Sequence, residues 1–254
     1  MRPIRAVLFA VLSAVLASTI VYFLFIRPRV KAWGFDPQEA ELPLPGDDLI
    51  AEPSAIETRG ITIDAPPAEV WPWLVQMGFE RGGWYSYDAL DNRHPPAERI
   101  LPEFQSLKVG DVMPYGPGSA FRVEAVTPER ELVLYIDADL ARRQMEEAVA
   151  EGKLPEGATR SSFPEFAASW AFFLQTTDDG TTRLIERFRA RTPGNAAVTA
   201  VLGEIMGTGL VLMGRKQMLG IKERVERAAP QLAHGIGIEP ETQLEISPEV
   251  SPVA

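Results

Sequence analysis

Glu186 is the residue in this chain best placed by its neighbours to do chemistry. In the run 183–191, Leu184, Phe188 and Ala190 recur with period two, and Glu186 falls on the same face of the implied strand. A carboxyl desolvated among apolar side chains titrates high, and it either holds the polar tip of a ligand or works as a general base. The competing reading is a bulge that turns Glu186 to solvent or into a salt bridge with an arginine, and on sequence alone that reading is preferred. His94 lies in a proline-flanked loop, and Arg81, Tyr85, Tyr87 and Asp88 come shortly before it. Each of these has a plain structural explanation, Asp88 as the partner of a helix dipole.

Several chemistries lack their residues. The chain has two histidines, His94 and His234, and no Gly-x-Ser-x-Gly elbow, so triad hydrolysis is not expected. Cysteine is absent, which removes disulfides, thiolate nucleophiles and cysteine metal sites together. No carboxylates recur at ligand spacing, and nothing matches a P-loop or a dinucleotide turn, so neither metal nor cofactor is expected. The net charge of −10 is local, because 36–52 holds six acids and 230–254 four, with no lysine or arginine in either. The rest is near neutral, and no basic surplus points to a nucleic-acid partner.

The elements that would position these groups are legible in part. Ile61 and Ile63 alternate with Thr62 and Asp64 as in a strand. Pro66 and Pro67 then suit a helix start, with Val70, Trp73, Leu74 and Met77 on one face, a kink expected at Pro72, and Gly78 as the stop. Gly82 and Gly83 deliver Trp84, Tyr85 and Tyr87 ahead of a short helix over 87–92. Such rings line cavities, though for any single ring a place in the core is the commoner outcome. Further strands are expected over 112–115, 120–126, 131–137, 169–176 and 182–191, the last two joined at Asp178-Asp179-Gly180. Residues 196–229 read as a long apolar helix, with a break expected at Gly207–Gly209.

The run APPAEVWPWLVQMG followed by RGGWYSYDALDN resembles the SRPBCC (START-like) superfamily, in its bacterial polyketide cyclase/dehydrase-like branch. WGFDPQEAELPLPGDDL, AERILPEFQSLKVGD and GRKQMLGIKERVE extend the resemblance over about 33–229. It implies an α+β helix-grip fold, in which a curved antiparallel sheet wraps a long C-terminal helix around a cavity. The family usually has seven strands, and six are counted here. Under that fold the cavity is expected to be lined by Trp170, Phe172, Leu184, Glu186 and Phe188, with Met206 and Met213 adapting its shape. Trp73, Trp84, Tyr85, Tyr87 and His94 complete the candidate lining. The fold hosts many unrelated functions, and no catalytic motif carries over to this chain.

Residues 6–26 form an apolar run that reaches roughly 31 Å as a helix, enough to cross a bilayer. A cleaved signal peptide, with Leu16-Ala17-Ser18 as its site, is the rival, but the run continues too far beyond it. Residues 1–30 are therefore expected to be a single-pass anchor. Basic residues flank both ends, with a slight lean to a cytoplasmic domain. By composition residues 31–57 read as a solvated acidic, proline-rich linker, whereas the resemblance implies a connector packed along the domain 58–229; 139–167 reads as an insertion, either a lid or a solvated surface helix, and 230–254 as a disordered acidic tail. Three roles follow, in this order. The first is a membrane-anchored binding or carrier module for a hydrophobic small molecule or lipid. The second is a cyclase/dehydratase-like enzyme using Glu186, and the third a non-enzymatic partner-binding scaffold.

Overall fold

Six alternating stretches pair into one sheet in the computed structural model, which describes residues 2–87, 94–155, 165–192 and 196–235, with side chains outside 2–6, 8–10, 12, 196–206 and 229–235. The strands are β1 (Ala55–Ile63), β2 (Val112–Gly116), β3 (Ser119–Thr127), β4 (Glu131–Asp137), β5 (Ala167–Thr176) and β6 (Thr182–Arg191). Their order is β1-β6-β5-β4-β3-β2, every pairing is antiparallel, and β1 and β2 are open edges. The class is α+β.

Among the described residues six α-helices accompany the sheet. These are α1 (Arg2–Val21), α2 (Arg27–Ala32), α3 (Pro37–Glu41), α4 (Pro67–Val75), α5 (Ala138–Ala150) and α6 (Ala196–Gly235). Pro67 stands at the start of α4, where its missing N–H costs nothing, and Pro72 lies inside the helix without ending it. The window Ser13–Ala32 is long and apolar enough to span a membrane, with mean hydropathy 1.3 and none of it buried; a signal sequence meets the same criterion. The helix expected over 87–92 lies, from Asp88 on, outside the described residues.

Period-two alternation on β6 divides the protein into two packing layers. Leu184 and Glu186 face α4 and α6, where Met218, Ile221 and Val225 join Leu184, Phe172 and Leu134 in the main core. Arg183, Arg187 and Arg189 face the other way and meet the connector. Arg183 pairs with Glu39 at 2.6 Å, while Arg187 and Arg189 pair with Asp47 at 2.6 and 3.2 Å. The acidic run is thus the counter-charge of one strand face, and residues 31–57 pack along the domain through α3 and a short helix at Asp47–Ile50. In the insertion, α5 is capped by Asp137, which accepts from Leu140 N, and Gln144 holds α5 to β3 at Ala120 N.

Helix α6 differs from expectation. It is unbroken from Ala196 to Gly235, through Gly207–Gly209 and past residue 229. Helical glycines each cost about 1 kcal/mol against alanine, and tertiary packing outweighs that. Two of them instead allow close approach. At Gly220 an added Cβ would stand 2.4 Å from the Tyr85 carbonyl oxygen, and at Gly214 it would stand 3.3 Å from both carboxyl oxygens of Glu186. Gly220→Ala is therefore expected to push helix and loop apart and to lower stability by about 2 kcal/mol. Urea denaturation of the full chain checks this, and a wild-type midpoint would refute it.

Candidate functional site

Between the Glu186 face of the sheet and α6 lies a cavity of about 280 Å³. The strands supply Arg59 from β1, Tyr115 and Phe121 from β2 and β3, Trp170 from β5, and Glu186 and Phe188 from β6. Helix α6 closes it with Leu210, Val211, Met213, Gly214 and Gln217, and the loop after Gly83 adds Trp84 and Ser86. Ser86 Oγ donates to the Met213 carbonyl at 3.1 Å, which fastens that loop to α6. The walls are mainly aromatic. Trp84 and Trp170 stack at 5.2 Å with 16° between their planes, and Phe121, Phe172 and Phe188 surround Trp170 at 5.1 to 6.2 Å.

Glu186 sits at the buried end, 8% exposed, in a strand whose register to both neighbours runs without a shift. The bulge reading therefore fails, and so does the salt bridge. The Trp170 Nε1–H donates to Oε1 at 2.7 Å, and no cation approaches to ion-pair distance among the described residues. Burial pushes the carboxyl up to about 7, against smaller opposing effects from the Trp170 bond and the nearby charge of Arg59.

Arg59 stands directly across the β1–β6 ladder from Glu186. Its Nη1 donates to the carbonyls of Lys31 and Trp33 at 3.0 and 2.6 Å, holding the otherwise orphaned end of α2. Its Nη2 reaches Glu57 at 2.9 Å, and Lys31 reaches the other Glu57 oxygen at 3.4 Å. Glu57 thus lies between two cations, Arg59 and Lys31. Gln217 is 2% exposed, and its Nε2 contacts Met77 Sδ at 3.5 Å.

Of the residues singled out in the sequence, Trp84, Trp170, Glu186, Phe188 and Met213 line this cavity. Trp73, Phe172 and Leu184 are buried in the main core instead and do not line it. Tyr85 is buried apart from it. Its hydroxyl accepts from Gln76 Nε2 at 2.8 Å and donates to the Trp73 carbonyl at 3.2 Å, and burial pushes the phenol well above its ordinary range. Tyr87 and His94 are exposed, and Met206 carries no described side chain. Arg81 is held by the carbonyls of Met77 and Val75, away from the cavity. Arg59, Phe121, Tyr115 and Gln217 were not anticipated; their place depends on which strands pair and on how α6 docks.

Among the described residues no cluster of three or more His, Asp or Glu could hold a metal ion, and no residue of 139–155 lines the cavity. No family model and no curated protein matches the chain. A protein from Mesorhizobium loti aligns at 15% identity over 68% of this chain and 98% of its own, with TM-score 0.39. A conserved protein from Geobacillus kaustophilus aligns at 13% over 67% and 95%, with TM-score 0.35, and a Rhizobium loti protein at 13% over 63% and 95%, with TM-score 0.30. Likenesses this loose assign neither a family nor a function.

Proposed function

We propose that the chain is a membrane-anchored binding or carrier module for a hydrophobic small molecule or lipid, built on the helix-grip plan of the SRPBCC superfamily. The observation that carries this reading is the aromatic-walled cavity, which the interior side chains leave unfilled. Its position adds support. Leu210 and Tyr115, each about 40% exposed, mark its mouth. Nearby, Tyr22 of the N-terminal helical run bonds to Thr208, and Arg215 lies over the Trp33 ring at 5.4 Å. The N-terminal helix exposes Val7, Val11, Val15, Leu16, Ile20 and Leu24 at 47% or more, an apolar area that favours a bilayer over water. An opening beside that helix suits cargo drawn from the membrane.

The cyclase/dehydratase-like reading has one support, the carboxyl raised to about 7. It lacks a converging partner among the residues expected to supply one, since His94 is exposed and Tyr85 turned away. A scaffold with a filled interior fits the cavity less well. The test is native mass spectrometry of the full chain released from detergent, with extraction of whatever copurifies. A bound apolar molecule in wild type, lost in the cavity-filling variant Met213→Trp, is the expected result. Consistent emptiness of the wild type overturns the reading.

A further inference from the structure

Five buried side-chain atoms among the described residues have no hydrogen-bond partner, and three of them belong to side chains lining this one cavity: Glu186 Oε2, Gln217 Oε1 and Arg59 Nε. Their residues are 8%, 2% and 4% exposed, so water does not serve them at the surface. Buried polar groups are almost always paired, and here three unpaired atoms sit on side chains that wall one apolar chamber. The pattern has a definite polarity. Arg59 Nε offers a donor, Gln217 Oε1 accepts, and Glu186 Oε2 accepts when ionised and is able to donate when protonated. The two remaining orphans, Glu69 Oε2 and Arg189 Nε, belong to residues outside this lining and complete no second group of this kind.

Charge narrows the occupant further. Arg59 is already engaged by Glu57 and by the carbonyls of Lys31 and Trp33, so a carboxylate or phosphate entering the cavity competes with Glu57 for it and also meets Glu186. An ammonium has donors only and would leave Arg59 Nε without an acceptor. The aromatic walls then hold whatever bears the head group, which is apolar. We infer that the buried end of the cavity recognises an uncharged head group that both donates and accepts hydrogen bonds, a hydroxyl or a primary amide, on an otherwise apolar body. This rests on the carrier reading above and specifies what that carrier selects.

Four naphthalene probes separate the two ideas: naphthalene itself, naphthol, naphthamide and naphthoate. Each is titrated calorimetrically into the full chain in detergent, against detergent alone. Naphthol and naphthamide are expected to bind at least about tenfold tighter than naphthalene, the discrimination a buried polar site gives against a ligand lacking its partner. Naphthoate is expected to be the weakest at pH 8. Gln217→Leu and, separately, Glu186→Leu are expected to cut the preference for naphthol while leaving naphthalene affinity within about threefold. Naphthalene uptake by either variant also reports that its cavity has folded. Equal affinity for naphthalene and naphthol in wild type, or preference for naphthoate, overturns the head-group inference and leaves the carrier reading standing. No binding of any probe overturns both.

Discussion

Replacing Arg187 by leucine is expected to cost about 3 to 5 kcal/mol of stability, because it strips a buried charge network of its centre. Arg187 is 3% exposed and uses all three guanidinium nitrogens. Nε donates to Thr58 Oγ1 at 3.0 Å, Nη1 to the Leu42 carbonyl at 2.7 Å and to Asp47 Oδ2 at 2.6 Å, and Nη2 to the carbonyls of Glu39 and Ala40 at 2.8 and 3.0 Å. Leucine fills part of the volume but takes a donor from three carbonyls and one carboxylate oxygen, of which Glu39 O and Asp47 Oδ2 keep only a backbone N–H, and the connector loses its main attachment to β6. Lysine recovers little, since one ammonium cannot span carbonyls on both sides of the planar fork. Arg227→Leu is the control. That residue is 53% exposed, and its pairs with Glu98 and Glu223 are worth at most about 1 kcal/mol. Urea denaturation followed by tryptophan fluorescence reads the difference, and limited proteolysis is expected to cut Arg187→Leu within 36–50 well before wild type. A variant as stable and as resistant as wild type would show that the connector is held by something else.

That network also shows where reading the sequence stops short. The alternation in 183–191 placed Glu186 on the apolar face correctly, but the arginines at 183, 187 and 189 were left without partners, while 36–52 was treated as a charge surplus. Both halves of the match were present as a strand face of one sign and a connector of the other. What was missing was the knowledge that the connector returns to that face. The cavity was legible to the same extent. Rings on predicted strands, Trp170 and Phe188, could be assigned to it from period two alone. Arg59 could not, because its position opposite Glu186 depends on β1 pairing with β6 across most of the chain. Gln217 could not either, since the helix pattern of α6 is apolar over a broad arc and does not say which turn meets the sheet. The glycines of α6 misled for a physical reason. Composition marks them as helix breakers, whereas two of them serve close approach to Tyr85 and Glu186.

Glu186→Gln is expected to make the protein more stable than wild type, by an amount that depends on pH. The carboxyl is pushed up to about 7 in the folded protein by burial, against an ordinary value of 4.5. Below about pH 4.5 the group is neutral whether the chain is folded or not, and the variant and wild type differ little. Between about 4.5 and 7 the unfolded chain has released the proton that the folded chain still holds, so wild-type stability falls as pH rises. Above about 7 the loss is complete, and for a gap of this size it amounts to about 3 kcal/mol. Glutamine keeps the bond from Trp170 Nε1 and has no charge to desolvate. Among the described residues the titratable groups that share the cavity lining with Glu186 are Arg59 and Glu57 from β1 and Tyr115 from β2, and α6 adds none. Arg59 is paired with Glu57 at 2.9 Å rather than with Glu186. Urea midpoints of both proteins from pH 4 to 9 test this; all five tryptophans lie at Trp33 or beyond and report on the domain. A difference that stays flat with pH would mean that Glu186 is solvated in the folded protein, and the recognition argued for the cavity's buried end would fall with it. A difference that opens between pH 4.5 and 7 would mean that the fold retains a destabilising acid in the wall of the cavity, which is how binding sites commonly differ from cores.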